Sequence, residues 1–228
     1  MKKLFLFSMA IVMALSACEQ NNKAPIPKVG EKLYYDIINY SADTTRKMEM
    51  VLEVLEVTDS TVTSSQTYIF PDMEGKFSHE FTTKSADTER EVSLKSIFHY
   101  YLMPYNDSLE FVEGDNMVKY KNRMDKNTVL EPARMVLKSK ADGKDIMIEL
   151  SVEERKVWGN EMVTTPAGTF ECVKFSENHV AKIGGEETFK QLIGWYSIKT
   201  NAQIRQTDCD KDGNVIYEVL LAKMEQPQ

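Results

Sequence analysis

The stretch that decides the fold is residues 169–224, TFECVKFSENHVAKIGGEETFKQLIGWYSIKTNAQIRQTDCDKDGNVIYEVLLAKM. Its apolar and aromatic residues recur at alternate positions, which is the spacing of β-strands rather than of helices. Turn signals at Gly184-Gly185 and Asp212-Gly213 separate these runs at hairpin intervals. The pattern predicts an antiparallel meander of four strands: Thr169–Ile183, Glu187–Ile198, Ala202–Cys209 and Val215–Met224.

The meander also decides whether Cys172 and Cys209 form a disulfide. Cys172 starts the first strand and Cys209 ends the third, and these two strands run parallel in a meander. Two strand spacings and the offset along the strands place the cysteines about 19 Å apart. A disulfide needs Cα atoms within about 7 Å. This topology therefore predicts two separate thiols, each buried or at a sheet edge.

The chain upstream of residue 169 continues the same alternation. Apolar residues occupy every second position in Met48–Val54 and in Ile146–Val152, which predicts two strands. A third predicted strand places Phe77, His79 and Phe81 on one face. Only Leu94–Leu102 has apolar residues at helical spacing, so we expect one short helix or crossover there. No repeat or composition shift divides the chain, and residues 29–228 are predicted to form a single mainly β domain.

The N-terminus has the layout of an export signal. Lys2 and Lys3 precede an apolar run from Leu4 to Leu15, which is too short to span a bilayer. Residues 1–17 are therefore predicted to be a signal peptide, and residues 18–28 a polar, proline-containing tether. Ser16-Ala17-Cys18 resembles a bacterial lipobox, which implies lipidation of Cys18. The alternative is an ordinary secreted protein in which Cys18 has no such role.

Composition and charge narrow the possible partners. Apolar residues make up 42% of the 228-residue chain and charged residues 28%, which is ordinary for a globular domain. The net charge is −7, and it becomes −9 without Lys2 and Lys3. An acidic domain attracts neither nucleic acid nor anionic lipid headgroups, so we expect no nucleic-acid partner. Membrane attachment is expected through the lipid on Cys18 alone, and the sequence leaves the oligomeric state open.

The motif VTTPAGTFECVKF, residues 163–175, resembles the signature of a family of bacterial envelope domains of unknown function, the TapB-like proteins. Gly194-Trp195-Tyr196-Ser197 and the turn-containing run 205–214 are similar to the end of that family's domain. The resemblance is good over residues 160–224 and faint over 28–150. In physical terms, Pro166-Ala167-Gly168 is a turn that starts a strand, and Phe170 and Phe175 point to its opposite faces.

The resemblance implies a curved antiparallel sheet, the half-barrel of the lipoprotein carriers LolA and LolB. In those carriers the concave face holds acyl chains under a helical lid. The predicted fold is therefore mainly β, with one large curved antiparallel sheet and one short helix or crossover segment. The candidate ligand-binding residues on its concave face are His79, Phe81, Ile148, Phe170 and Trp195.

Catalytic and metal-binding motifs are weak in this sequence. Asp208 to Gly213 matches the start of a calcium loop, but the required glutamate at position 12 is replaced by Val219. The three histidines have no metal-ligand spacing, and no nucleophile elbow or phosphate loop occurs. We therefore expect an Asp-Gly turn, no metal, no cofactor and no enzymatic activity.

Three functions follow from these observations. The leading hypothesis is a lipid-anchored, non-catalytic module of the cell envelope that binds a hydrophobic small molecule, a lipid or a lipoprotein. We place it at the outer rather than the inner membrane, facing the periplasm or the exterior. The second is a structural or assembly factor of the cell surface that acts through protein contacts. The third is an envelope hydrolase in which Cys172 or a serine meets a histidine and a carboxylate.

Overall fold

The computed structural model describes residues 27–41, 44–71, 76–85, 89–141 and 143–227. Thirteen strands in these residues form one curved, unclosed antiparallel sheet. Their bounds are β1 Lys32–Ser41, β2 Thr44–Val57, β3 Thr61–Ile69, β4 Lys76–Ser85, β5 Glu89–Ser93, β6 Glu110–Gly114, β7 Met117–Lys121, β8 Ala133–Ala141, β9 Lys144–Thr165, β10 Gly168–Ile183, β11 Glu186–Ser197, β12 Gln203–Cys209 and β13 Val215–Glu225. The predicted fold class is confirmed.

The strand order is β6-β8-β9-β10-β11-β12-β13-β1-β2-β3-β4-β5-β7. The predicted C-terminal meander is present as β10 to β13, with a turn at Gly184-Gly185 between its first two strands. β13 then pairs with β1, so the two ends of the domain are neighbours in the centre of the sheet. Cys172 and Cys209 are free and buried, as predicted.

The sheet curls until its two outermost strands meet at one point. β6 pairs with β8 and β7 pairs with β5, yet only two residues separate β6 from β7 in sequence. Gly114 and Met117 can therefore be no more than about 11 Å apart. Gly114 has a φ of +98°, and a Cβ atom there would lie 2.2 Å from the carbonyl oxygen of Arg134. Glycine is required at this seam because no side chain fits.

Register fixes which side chains face the inside of the curve, since residues directly opposite each other on neighbouring strands share a face. Phe175 on β10 is opposite Gly194 on β11, which is opposite Gln206 on β12 and then Val219 on β13. A Cβ atom at position 194 would lie 2.6 Å from the Phe175 ring, so Gly194 lets that ring pack flat against β11.

Two hydrophobic clusters form the core of the described residues. Cluster A joins β5, β7, β8, β9, β10, β11 and the helical segment, and Phe98, Tyr120, Phe175, Tyr196 and Ile148 are among its members. Cluster B joins β1, β2, β3 and β13 with the adjoining parts of β9 to β12, and Leu33, Tyr35, Met50, Tyr68 and Leu221 are among its members. The interior is thus divided into two apolar regions rather than filled by one.

The predicted helical stretch is present as two single-turn helices, α1 Leu94–Ile97 and α2 His99–Leu102, followed by a 3-10 helix at Met103–Ser108. Leu94, Ile97, Phe98 and Leu102 are buried in cluster A, which accounts for the apolar spacing seen in the sequence. No helix of the described residues is long and apolar enough to cross a membrane. The predicted signal peptide, Cys18 and most of the tether lie outside the described residues.

Candidate functional site

A buried polar band separates the two hydrophobic clusters on the inner face of β10, β11 and β12. The alternation that points Phe175 inward also points Glu177 and His179 inward. His179 is opposite Lys190, and Asp208 on β12 is opposite Leu192. All four polar side chains of this band are buried. Buried polar groups need hydrogen-bond partners, and the polar interactions of the interior are therefore concentrated in this band.

Glu177 is the centre of the first half of the band. Its Oε1 atom accepts a hydrogen bond from the Tyr120 hydroxyl at 2.8 Å and lies 2.8 Å from His179 Nε2. Its Oε2 atom accepts from Arg155 Nε at 2.9 Å. Burial alone would raise the pKa of this carboxyl, but the Arg155 guanidinium, His179 and Tyr120 outweigh it and hold the pKa at about 2. Glu177 is therefore a carboxylate at every physiological pH.

Arg90 on β5 reaches into the same region from the far side of the curled sheet. Its guanidinium carbon lies 5.4 Å from the centre of the Tyr120 ring and 4.8 Å from that of Tyr196. The side chain is only 1% exposed, and burial lowers its pKa. Its Nε, Nη1 and Nη2 atoms have no hydrogen-bond partner among the described residues. Arg90 is thus a cation held between two aromatic rings with its donors unused.

A chain of side-chain hydrogen bonds forms the second half of the band. The Tyr196 hydroxyl donates to Gln203 Oε1 at 2.9 Å, and Gln203 Nε2 donates to Gln206 Oε1 at 3.2 Å. Gln206 Nε2 then donates to Asp208 Oδ1 at 2.7 Å, and Lys190 Nζ donates to Asp208 Oδ2 at 2.7 Å. Because the lysine and aspartate charges cancel, this half of the band is electrically balanced.

A second feature is a half-buried aromatic group where β3 and β4 meet α2, here called the aromatic mouth. Its members are Tyr68, Phe77, His79, His99 and Tyr100. The His79 and His99 rings stack with centroids 4.8 Å apart. Burial, and then the neighbouring His99, lower the pKa of His79 to about 4, so this ring is neutral at pH 7.

The helical segment connects the aromatic mouth to the polar band. His99 and Tyr100 contact Phe77 and His79 on β4, whereas the preceding Phe98 packs against His179 with ring centroids 5.6 Å apart. Consecutive residues of this short segment therefore touch two different walls of the interior. A movement of α1 and α2 would act on both features together.

The structure does not gather all five candidate ligand residues at one place. Phe81, Phe170 and Trp195 belong to or pack against cluster B, whereas Ile148 lies in cluster A. His79 and Phe81 lie on β4 beside the aromatic mouth, and Ile148 is fully buried in cluster A. Phe170 lies on the face opposite to Phe175, as expected, and packs against cluster B. Trp195 is opposite Lys174, which points away from the Phe175 face.

Trp195 is a buried member of cluster B, and charged side chains also contact its ring. Lys174 Nζ and the Arg205 guanidinium carbon each lie 5.1 Å from its ring, and its indole nitrogen donates to Glu161. These contacts account for its burial without any ligand. Ligand binding by the five residues stays a prediction.

Sequence reasoning missed Arg90, Tyr120, Arg155, Glu177 and His179. A signal was present in the run FSENHVA, residues 175–181, which places Phe, Glu, His and Ala on one face of a single strand. Two ionisable residues between apolar ones on the same face indicate a buried polar site. The residues on β5 and β7 carry no such signal because they meet β10 only after the sheet has curled.

The weaker motifs have structural explanations. The Asp210 carboxylate accepts hydrogen bonds from the backbone N–H groups of Asp212 and Asn214, so it organises a turn as expected. No group of three or more potential metal ligands occurs among the described residues. Burial raises the pKa of the Cys172 thiol to about 12, which leaves it protonated and a poor nucleophile.

Two open grooves of about 340 and 510 Å³ lie on the outer side of β8 and β9. They share the charged residues Arg134, Glu149 and Lys182, and Arg134 is paired with Glu149 at 2.8 Å. Glu149 alternates with the buried Ile148 and Leu150, so both grooves face away from the clusters. They are not the concave site that the sequence predicts.

Comparisons with known proteins agree with this architecture. A protein-family model described as DUF3108-like matches residues 28–221. A solved structure described as "a putative lipoprotein", from Parabacteroides distasonis, is 20% identical and has a TM-score of 0.67; the match covers 90% of this chain and all of that one. No curated protein matches the sequence.

A second solved structure is described as "a putative exported protein with YmcC-like fold" and comes from Bacteroides fragilis. It is 16% identical and has a TM-score of 0.63, and the match covers 94% of this chain and all of that one. At these identities the likeness concerns the fold. The expected TapB-like and LolA-like relationships stay predictions.

Proposed function

The chain belongs to the DUF3108-like family, and we propose that it is a lipid-anchored, non-catalytic protein of the cell envelope that binds an amphiphilic ligand inside its curved sheet. The observation that carries this proposal is the polar band between two apolar clusters, in which buried donors are left without partners. A self-contained core satisfies such groups internally. A ligand with a polar end and an apolar body would complete both regions at once.

The aromatic mouth supports the proposal by supplying an opening for the apolar part of the ligand. Phe77 and His79 are half-buried, so part of each ring reaches solvent while its inner edge contacts Tyr68. Half-exposed aromatic rings beside a mostly polar surface are typical of ligand-binding sites. A short helical segment, rather than a long strand pairing, lies across this opening.

Attachment to the envelope rests on two further observations. The N-terminal signal and Cys18 fit the export and lipidation of a bacterial lipoprotein. The names of the two structural neighbours, a lipoprotein and an exported protein, fit the same location. We keep the outer membrane as the proposed site. The raised pKa of Cys172 supports our proposal that the protein is not a thiol hydrolase.

Native mass spectrometry of the protein purified from its own membrane, with the lipidated N-terminus released by proteolysis after residue 28, tests the proposal. We expect a fraction of molecules to carry a non-covalent mass of a few hundred daltons that is lost on denaturation. Recovery of the bare polypeptide mass alone, from gentle extraction in two unrelated detergents, would contradict it.

A surface role through protein contacts remains the second candidate, because the edge strand β6 exposes apolar residues. Phe111 and Val112 are 48% and 49% exposed, and Met147 on β9 is 51% exposed. An exposed edge with apolar side chains is a surface on which another strand can pair. Crosslinking in intact cells with the wild type and a Phe111→Glu variant tests it: a partner lost in the variant supports it, and no crosslinked partner in either opposes it.

A further inference from the structure

We propose that Arg90 is the head-group site for an anionic ligand, and that it binds a carboxylate or phosphate group inside the curved sheet. This inference rests on the proposed function, since it names the chemistry of the polar end of the ligand. It is carried by the position of Arg90, the charges around it and the donors left free there.

Arg90 differs from Arg155 by having no hydrogen-bond partner among the described residues. Arg155, also buried, donates its Nε to Glu177 and its Nη1 to the carbonyl oxygens of Lys119 and Glu131. All three nitrogens of Arg90 lack a hydrogen-bond partner among the described residues. A buried charge without a partner is strongly disfavoured, so such a group calls for a counter-charge from elsewhere.

The charges around Arg90 leave one positive charge uncompensated. Two guanidinium groups, Arg90 and Arg155, lie within about 6 Å of the Tyr120 ring. Among the described residues a single carboxylate, Glu177, interacts with both, and it is already bonded to Arg155. One bound monoanion would neutralise this region.

Free donors cluster on the same side chains. Besides the three nitrogens of Arg90, Arg155 Nη2 has no hydrogen-bond partner among the described residues. Both guanidinium groups lie against the Tyr120 ring. An oxyanion has two or three acceptor oxygens, and guanidinium groups bind it with paired, nearly parallel hydrogen bonds.

The tyrosines that flank Arg90 do not use its donors. The Tyr120 hydroxyl donates to Glu177, and the Tyr196 hydroxyl donates to Gln203. Their rings cover the planar guanidinium by cation–π contacts, which act on its face. The N–H groups at its rim are therefore those available to an anion.

The site is closed in this structure, and the β5–β7 ribbon is the element that can open it. β5 pairs with β4 at only two positions among the described residues, Lys84 with Glu91 and Ser85 with Arg90. It pairs with β7 at five positions, and β7 is the edge of the sheet. The two strands can therefore move together, carrying Arg90 and Tyr120, at the loss of few sheet hydrogen bonds.

Isothermal titration of the purified protein, stripped of co-purified lipid, with three probes tests the inference. The probes are dodecanoate below its micelle concentration, 1-dodecanol and inorganic phosphate. We expect dodecanoate to bind at least about tenfold tighter than dodecanol, as a charge-assisted hydrogen bond implies. Phosphate binding that requires Arg90, without dodecanoate binding, would also support the anion site and assign it to a free anion.

Arg90→Met and a matched control, Arg134→Met, show whether Arg90 is responsible. Arg134 is a surface arginine paired with Glu113 and Glu149. Arg90→Met should weaken dodecanoate at least about tenfold and change dodecanol less than about threefold, whereas Arg134→Met should change neither. Arg90→Lys keeps the charge and should fold and retain part of the preference.

Two results would overturn the inference. Equal affinities for dodecanoate and dodecanol, unchanged in Arg90→Met, would remove the anion site and leave the proposed ligand-binding function intact. Unfolding of both Arg90→Met and Arg90→Lys would assign Arg90 a purely structural role. If neither amphiphile nor phosphate binds the wild type, the proposed function fails together with the inference.

Discussion

Replacing Glu177 with glutamine should be among the most destabilising single changes in the interior. Glu177 is 1% exposed and is the only carboxylate bonded to Arg155 among the described residues. Glu177→Gln conserves the shape of the side chain but leaves the buried guanidinium of Arg155 without a counter-charge. Breaking a buried pair in this way typically costs about 3–5 kcal/mol.

The pKa of Glu177 leads to a similar magnitude by an independent route. A pKa of about 2 in the folded protein, against an ordinary value of 4.5, corresponds to about 3 kcal/mol of stabilisation of the charged form. Because the folded-state pKa is the lower one, this stabilisation is present above pH 4.5 and is lost as the pH falls from 4.5 towards 2. A loss of this size is a large fraction of the stability of a typical domain.

Urea unfolding of the wild type and the variant, repeated from pH 7 to pH 2, measures both effects. Glu149→Gln is the control, since Glu149 pairs with Arg134 on the surface and such pairs contribute about 0–1 kcal/mol. We expect Glu177→Gln to lose about 3 kcal/mol at pH 7 and to lack the stability change between pH 4.5 and 2. A Glu177→Gln variant as stable as Glu149→Gln at pH 7 would refute the account of the buried network.

Three further predictions concern the seam, the inner face and the aromatic mouth. Gly114→Ala should lower the free energy of unfolding by about 3 kcal/mol, because its Cβ would clash with the Arg134 carbonyl oxygen at a positive φ. The control is Gly143→Ala, where a Cβ meets no atom within 4 Å. A decrease in melting temperature no larger than that of the control would contradict the prediction. Gly194→Ala should cost about 1–3 kcal/mol by crowding the buried Phe175 ring, and unfolding titrations unchanged from wild type would oppose it. Because the pKa of His79 is lowered in the folded protein, the histidine is protonated in the unfolded chain at a higher pH than in the folded one, and stability should fall as the pH drops from 6.5 to 4. His79→Phe should remove part of that pH dependence. An unchanged pH profile of stability in the variant would exclude this cause.

The C-terminal half of the sheet could be predicted closely from sequence because it is local. Each of the strands β10 to β13 pairs with its neighbour in the chain, and two of the three turns between them carry glycine or aspartate signals. The predicted strand Thr169–Ile183 differs from the observed Gly168–Ile183 by one residue. The short helical segment could be predicted for the same reason, since its apolar spacing lies within nine residues.

The seam could not be predicted because it depends on pairings between distant residues. β6 and β7 are separated by two residues and resemble an ordinary hairpin in sequence, yet each pairs with a different strand. The residue that marks the difference is Gly114. Glycine is required there because of the Arg134 carbonyl, whose position is known only from the folded structure. Periodicity identifies strands but does not decide which edges meet.

The polar band could not be predicted for the same reason, because it too depends on contacts between distant strands. Arg90 lies in the run EREVS, residues 89–93, where three consecutive charged residues are typical of an exposed segment. Its burial arises only because the curled sheet places β5 over β10 and β11. The prediction of a ligand site on the concave face named apolar and aromatic residues, whereas the unsatisfied chemistry lies in charged ones.

The most direct test of the account locates a bound amphiphile inside the sheet. Isotope-filtered NMR with ¹³C-labelled dodecanoate and selectively labelled tyrosines can detect contacts between the carbon next to the carboxylate and individual rings. We predict contacts to Tyr120 and Tyr196, the two rings that flank Arg90. Contacts confined to surface tyrosines such as Tyr34 or Tyr40, or none at saturating ligand, would contradict the claim that the interior is a binding site.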